Sequence, residues 1–313
     1  MSNREKKNIA DSILQRLKNY SQMQREDRGL TLTNYAIERF LYRLSNSQYA
    51  GQFVLKGAQL FRVWGNNPYR PTRDLDLLGF GNPDVSQLEE VFRNICRVET
   101  DVQDGIIYKA ESVRGQAIRE DNMYDGVRIK LEYRIGRTGE FMQIDIGFGD
   151  AVDSSAKMAA FPSILNMPAP ELRVYPYELA VAEKVEAMAA LGFANSRMKD
   201  FYDVYQLAGE FEFDGKLLAQ AIQTTFKRRG TVIPEGLPTA FTKEFYEDKL
   251  KLRQWEAFIS KNSLKEISFP SAADKIKDFI LPVLRALAEN KSFELIWKPG
   301  RQWSKERKNW SNC

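Results

Sequence analysis

The spacing of hydrophobic positions changes about halfway along the chain, and this change predicts a molecule in two parts. Near the N-terminus apolar residues follow helical spacing, and up to about residue 150 they mostly alternate with polar ones, which is typical of strands. From residue 176 onward apolar residues recur every three or four positions, which predicts helices. We therefore expect an α+β region, a mixed sheet with flanking helices, followed by a helical domain.

The first part is expected to begin with two helices, the second of them capped by Thr33. A further helix is predicted over 87–97. Strands are predicted over 52–57, 74–80, 105–113, 126–135 and 140–148. Because residues 136–139 form a good hairpin turn between the last two strands, at least part of the sheet is expected to be antiparallel.

The patterns divide the chain into four segments. Helices over 1–50 are expected to pack on an α/β core over 51–150, and a proline-rich connector over 151–175 leads into a helical domain over 176–313. Its helices are predicted at 177–191, 197–209, 215–228, 242–260 and 272–289.

The composition excludes several kinds of chemistry. The 313 residues include no histidine and only two cysteines, Cys96 and Cys313, which excludes His-based nucleophilic catalysis, His-ligated zinc and a disulfide framework. Any metal must therefore be held by oxygen ligands, which favours Mg²⁺ or Mn²⁺. The sequence has no membrane-spanning stretch and no apolar signal core, so we expect a cytoplasmic protein without membrane contact.

Two aspartates stand at alternate positions of an apolar strand, in RPTRDLDLLGF. Asp74 and Asp76 must share one face of that strand, and Asp145 of QIDIGF joins them if the two strands are neighbours in register. Three carboxylates so close repel one another, and a divalent cation resolves the conflict. The alternative is that Asp74 pairs with a nearby arginine and that Asp145 lies on a solvated sheet face.

A possible phosphate-binding turn precedes these carboxylates in VLKGAQLF. A strand that ends in glycine and leads directly into a helix offers backbone N–H groups to phosphate, and Lys56 adds a positive charge. A glycine before a helix is common, so this turn indicates a phosphate site only in combination with the carboxylates.

Taken in order, LKG, TRDLDLLGF and QIDIGF resemble the nucleotidyltransferase fold of the polymerase-beta superfamily. The closer resemblance is to AbiEii/AbiGii-type toxins, the branch that includes the MenT toxins. Residues 178–207 are similar to that branch's helical motif of a lysine, a further basic residue and an aspartate. The resemblance covers about 50–210. It departs at Ala58, where many members have a serine hydroxyl or a glycine.

The resemblance implies metal-dependent transfer of NMP from an NTP to an acceptor, expected to be RNA at a tRNA 3′ end. It implies a toxin of a toxin–antitoxin or phage-defence pair, with a cognate antitoxin, and makes 51–150 the catalytic domain. The catalytic residues it implies are Asp74, Asp76, Asp145, Lys184 and Asp200, the first three as ligands of Mg²⁺ or Mn²⁺. The expected nucleotide contacts are Lys56, Gly57, Ala58, Arg73 and Lys184, the last across the domain interface.

Rival interpretations remain open. An Asp-x-Asp glycosyltransferase also holds a metal against a nucleotide diphosphate, and a nucleotide- or RNA-binding protein needs no turnover. Basic residues at 227–229, and in a tail that interleaves them with Trp297, Trp303 and Trp310, suit RNA. The alternative for the tail is that its tryptophans dock on the body of the protein.

Overall fold

The computed structural model describes residues 3–65, 70–120, 124–149, 156–300 and 302–305. The chain divides into two compact units, Met1–Tyr175 and Pro176–Cys313. The division falls where the sequence pattern predicts the start of the helical domain.

The first unit is built on a seven-stranded mixed sheet with flanking helices. Its helices are α1 (Asn3–Gln24), α2 (Arg28–Ser45), α3 (Leu60–Trp64) and α4 (Val85–Cys96). Its strands are β1 (Phe53–Lys56), β2 (Leu75–Gly79), β3 (Ile106–Glu120), β4 (Tyr124–Ile135), β5 (Thr138–Phe148), β6 (Lys157–Ala160) and β7 (Glu171–Val174).

The strand order is β3-β4-β5-β2-β1-β7-β6. The pairs β2–β5 and β1–β7 are parallel and the remaining neighbours are antiparallel. The expected α+β class with a mixed sheet is therefore confirmed. The hairpin of β4 and β5 closes at Ile135 and Thr138, so its turn contains two residues, Gly136 and Arg137.

Strand alternation places one face of the sheet in the core. Ile129 and Ile144 on that face are fully buried, as is Phe40 of α2. The Tyr108 hydroxyl of β3 donates to the Ala36 carbonyl of α2, 2.6 Å away. Helix α2 begins earlier than predicted, because its N-cap is Asp27 rather than Thr33.

Two short strands of the sheet, 157–160 and 171–174, lie within the segment predicted as a connector. Strands β7 and β6 extend the sheet beyond β1. The loop between these strands is hydrogen-bonded to α2. The buried Glu38 carboxylate accepts from the Ser163 hydroxyl at 2.9 Å and the Ile164 N–H at 2.7 Å, while Arg39 donates to the Pro168 carbonyl at 2.8 Å. The prolines that led to the prediction of a connector lie mainly in this loop. The strands on either side of it have only four residues each.

The second unit is mainly helical. Its helices are α5 (Tyr177–Leu191), α6 (Met198–Glu210), α7 (Gly215–Arg229), α8 (Lys243–Tyr246), α9 (Lys249–Lys261) and α10 (Phe269–Ala288). A small sheet consists of β8 (Phe213–Asp214), β9 (Ile296–Trp297) and β10 (Trp303–Ser304). Across the described residues, no helix combines the length and apolar character needed to cross a membrane.

Two tail tryptophans, the buried Trp297 and the half-buried Trp303, pack against the body of this unit. Trp297 is 2% exposed and its indole N–H donates to the Ala208 carbonyl at 2.7 Å. Trp303 donates to the Phe279 carbonyl at 2.9 Å and stacks on the Phe279 ring. The docking alternative therefore holds for both, and they are not free to stack RNA bases. Trp310 lies outside the described residues.

Candidate active site

Four charged residues form a row across four adjacent strands. Lys56 of β1 is opposite Asp76 of β2, Asp76 is opposite Asp145 of β5, and Asp145 is opposite Arg128 of β4. Directly opposed residues project from the same face of a sheet, and neighbouring strands lie about 4.8 Å apart. The register therefore brings Asp76 and Asp145 side by side, as the sequence pattern predicts, with one basic residue at each end.

Gly57 allows the chain to turn directly against Asp76. Its φ of +72° lies in the left-handed region, and an added Cβ would lie only 1.9 Å from the Asp76 Oδ2. The turn that follows differs from the expected helix, because 57–59 form a single 3₁₀ turn and α3 has five residues. The Ala58 side chain carries no polar atom and the Gln59 side chain is fully buried. Backbone groups and the ammonium of Lys56, whose side chain is also largely buried, remain the candidates for phosphate contact.

Arg128 holds Asp145 with both arms of its guanidinium. Nε lies 2.8 Å from Oδ1 and Nη2 lies 2.8 Å from Oδ2, a bidentate fork. Hydrogen bonding to Asp145 raises the pKa of Arg128, and the charges of Asp145, Asp74 and Asp76 raise it further. Arg128 was not predicted as a site residue, although a two-residue hairpin turn at 136–137 places it opposite Asp145.

The remaining predicted residues of this unit lie around the row. Asp74 is exposed and immediately precedes β2, while Asp76 is half-buried within it. Arg73 pairs with Asp27, the N-cap of α2, at 2.9 Å, and both side chains are mostly exposed. The nucleotide contact expected of Arg73 therefore stays a prediction.

The carboxylates suit a hard divalent cation in their chemistry, because oxygen atoms are the donors that Mg²⁺ and Mn²⁺ prefer. Within the described ranges, no three Asp, Glu or Cys side chains converge closely enough to form a metal site. The Arg128 fork engages both oxygens of Asp145, and it leaves each of these oxygens a second lone pair with which to bind a cation.

The second unit holds its own cluster of predicted residues. The Lys184 ammonium of α5 lies 2.8 Å from Asp200 Oδ1 and 2.9 Å from Asp203 Oδ2, both on α6. Arg197 binds the other oxygen of Asp200 at 2.6 Å. Burial alone would raise the pKa of Asp200, but Lys184 and Arg197 outweigh it and lower that pKa to about 2. Asp203 lies on the same helix face as Asp200, nearly one turn further on, as its spacing in the sequence predicts, and Arg197 is three residues before Asp200.

One member of the basic cluster 227–229 is structural. Arg229, in the last turn of α7, binds the buried Glu186 carboxylate of α5 at 2.7 Å, and the Thr231 hydroxyl donates to the same group. Lys227 is exposed and Arg228 is half-buried. The cluster is therefore not the continuous surface patch that the sequence suggests.

Aspartates side by side on two parallel strands, with a Lys-Gly turn at the end of the next strand, form the arrangement that the sequence resemblance predicts for a nucleotidyltransferase. The family described as "Nucleotidyl transferase AbiEii toxin, Type IV TA system" matches residues 39–278. This match covers well over half of the chain, so the protein belongs to that family of nucleotidyltransferase toxins.

Two solved structures align with most of the chain. The crystal structure of JHP933 from Helicobacter pylori is 14% identical, covers 80% of this chain and 90% of its own, and gives a TM-score of 0.46. A structure assigned as a nucleotidyltransferase from H. pylori is also 14% identical, covers 80% and 93%, and gives 0.45. No curated protein matches the sequence.

Proposed function

We propose that this protein transfers NMP from an NTP to RNA, at a tRNA 3′ end, in a Mg²⁺-dependent reaction. It acts in the cytoplasm as the toxin of a phage-defence pair, and a cognate antitoxin restrains it. The observation that carries the proposal is the row Lys56–Asp76–Asp145–Arg128, aligned across four adjacent strands. Family membership supports both the reaction type and the toxin role.

In this reaction the acceptor's hydroxyl oxygen forms a bond to the α-phosphorus of the NTP. The bond from that phosphorus to the β-phosphate oxygen breaks, and pyrophosphate leaves. Asp145 accepts the hydroxyl proton, because it is a half-buried carboxylate at the centre of the row. Lys56 and the backbone N–H groups of the turn at Gly57 hold phosphate oxygens.

Asp74, Asp76 and Asp145 would hold the metal. A bound Mg²⁺ supplies positive charge that polarises the phosphate and activates the hydroxyl. Arg128 keeps Asp145 in place through its fork, and its remaining N–H groups can bind a phosphate oxygen. Arg128 therefore positions Asp145 before substrate arrives.

Lys184 is proposed to bind triphosphate oxygens. Asp200 and Asp203 hold its ammonium in place, and Arg197 in turn holds Asp200. Because Asp200 is 1% exposed and ionised, its role is to position Lys184 rather than to touch substrate. We infer that Asp200 supports catalysis indirectly.

The test compares the wild type with Asp76→Asn, using each α-labelled NTP with Mg²⁺ and total RNA. The wild type should label RNA and release pyrophosphate, and Asp76→Asn should reduce labelling about a hundredfold or more, because metal-held phosphate loses several kcal/mol of stabilisation. Glu140→Gln is the matched control, an exposed carboxylate of β5 whose loss should leave labelling intact. Circular dichroism checks that each variant is folded.

Other outcomes separate the rivals. Near-wild-type labelling by Asp76→Asn would refute the assignment of this residue. Label on protein or on a small molecule alone would refute the RNA acceptor, and binding of NTP without pyrophosphate release would favour a binding protein. Release of a sugar from a sugar nucleotide would favour a glycosyltransferase, a reading that family membership already opposes.

A further inference from the structure

The outer face of β3, β4 and β5 is open to solvent and starts at the carboxylates. Side chains on the opposite face, such as Leu131 and Met142, are fully buried. On the outer face, Lys130 is exposed, the Arg134 side chain is 52% exposed and Phe141 is 70% exposed. Because residues two apart share a face, Phe141 and Gln143 lie on the same side as Asp145.

This outer face is mainly basic. On the part of this face that runs from Arg134 to Arg128 of β4, the cations are Lys109, Arg114, Arg128, Lys130 and Arg134, and the acids are Glu132 and Asp145. The difference, five minus two, leaves three positive charges. Glu132 is held by Lys109 and Arg134, each at 2.7 Å. Lys130 shows no ion pair to any residue in the described part of the chain, and its ammonium is available to an anion.

An aromatic ring lies among these charges. Phe141 is opposite Glu132, so its diagonal neighbours on β4 are Lys130 and Arg134. A base stacked on the ring would place its phosphates within reach of these two side chains. Asp145 lies four positions along β5 from Phe141, a distance of about 13 Å. At about 3.4 Å per stacked nucleotide, that span holds about four nucleotides.

We propose that this outer face binds the single-stranded end of an RNA acceptor, with a base on Phe141, phosphates on Lys130 and Arg134, and the terminal hydroxyl directed toward Asp145. A flat sheet face with an exposed ring suits unpaired bases, whereas a duplex keeps its bases stacked inside. The positive charge suits a polyanion. The proposal rests on the proposed function, in that Asp145 marks the reacting end.

The test measures binding of a fluorescent 12-nucleotide single-stranded RNA by anisotropy at several salt concentrations, using the full chain. Phe141→Ala should weaken binding about fivefold or more, as loss of one stacked base does. Lys130→Ala should weaken it and lower the slope of log affinity against log salt by about 0.7. The controls are Met158→Ala and Lys157→Ala, which remove an exposed apolar and an exposed basic side chain from β6 at the opposite edge of the sheet.

Pyrophosphate release in the presence of a dinucleotide acceptor distinguishes failure of this inference from failure of the proposed function. A dinucleotide at Asp145 is too short to reach Phe141, so the wild type should release pyrophosphate with this acceptor whether or not the outer face binds RNA. Phe141→Ala and Lys130→Ala should lose affinity for the 12-mer. If both variants bind the 12-mer as the wild type does, or if duplex RNA competes as well as single-stranded RNA, the outer face is not the acceptor site. If the variants lose affinity but no NTP is turned over, the RNA site stands and the transfer reaction is refuted.

Discussion

At Gly57 the backbone has a φ of +72°, and the position of a Cβ is already filled by the carboxylate of Asp76, 1.9 Å away. A glycine before a helix is uninformative in the sequence, because many such glycines only relieve strain. Here the contact shows that the residue sets how closely the chain approaches Asp76. The requirement for glycine is therefore specific to the site.

Gly57→Ala should destabilise the protein by about 2 kcal/mol or more, because alanine is strained at positive φ and its methyl group must displace Asp76. Nucleotide transfer should fall with it. Gly51→Ala is the control, since no atom lies within 4 Å of its added Cβ. Urea unfolding measures both, and equal stability of the two variants would contradict this account of the turn.

Asp200 makes stability depend on pH in a defined direction. Burial raises its pKa, but Lys184 and Arg197 outweigh that effect and hold the pKa at about 2, below its ordinary value of 3.8. A carboxyl group whose pKa is lower in the folded state stabilises that state at pH values above its unfolded-state pKa. This contribution is lost as the pH falls from about 4 through 2. It amounts to about 2 kcal/mol at neutral pH and about half of that at pH 3.

Asp200→Asn removes this contribution, so the wild type should exceed the variant in unfolding free energy at pH 7. That difference should narrow toward pH 3. Urea titrations of both proteins at pH 7, 5 and 3 measure it. A difference in unfolding free energy that stays constant with pH would show that the negative charge of Asp200 does not stabilise the folded state.

At the scale of elements, long periodic stretches were predictable and pairings were not. Helix α5 spans 177–191 as predicted, because its core positions repeat regularly. Strands β6 and β7 were missed, since four residues each give too little pattern to separate from a proline-rich loop. The Arg128–Asp145 pair was missed because it depends on the register of the hairpin, which a change of one residue in the turn would shift.

The basic residues at the C-terminal end of α7 show the same limit of prediction from sequence. Three consecutive basic residues predict a surface patch, but only the tertiary structure reveals that Arg229 faces the buried Glu186. Arg229→Ala should therefore cost about 3 kcal/mol, because it leaves a buried carboxylate unpaired. Lys227→Ala, at an exposed position of the same turn, should change stability by less than about 0.5 kcal/mol. Thermal unfolding compares the two, and similar values would contradict a structural role for Arg229.

For the whole molecule, the division into an α+β unit and a helical unit was predictable because the hydrophobic period changes at the boundary. The absence of histidine from the full sequence, with only two cysteines, already directed attention to carboxylates and lysines. The sequence could not reveal how side chains pair within each unit. In the cluster on the sheet, only the structure brings Arg128 to Asp145, whereas Arg197 lies three residues before Asp200 in the sequence.

A ligand that binds only the folded chain raises its unfolding temperature, which gives a test independent of any acceptor. At a concentration about a hundredfold above its Kd, the NTP used should add about 2.7 kcal/mol, or about 5–10 °C for units of this size. Melting curves with Mg²⁺ and each of ATP, GTP, CTP and UTP should show such a shift for at least one nucleotide, which also identifies it. Asp76→Asn should lose most of the shift, because the variant lacks the carboxylate that helps to hold the metal and the NTP phosphates. Glu140→Gln should keep the shift. An equal shift in Asp76→Asn would place nucleotide binding away from the sheet carboxylates, and no shift with any of the four would oppose an NTP substrate altogether.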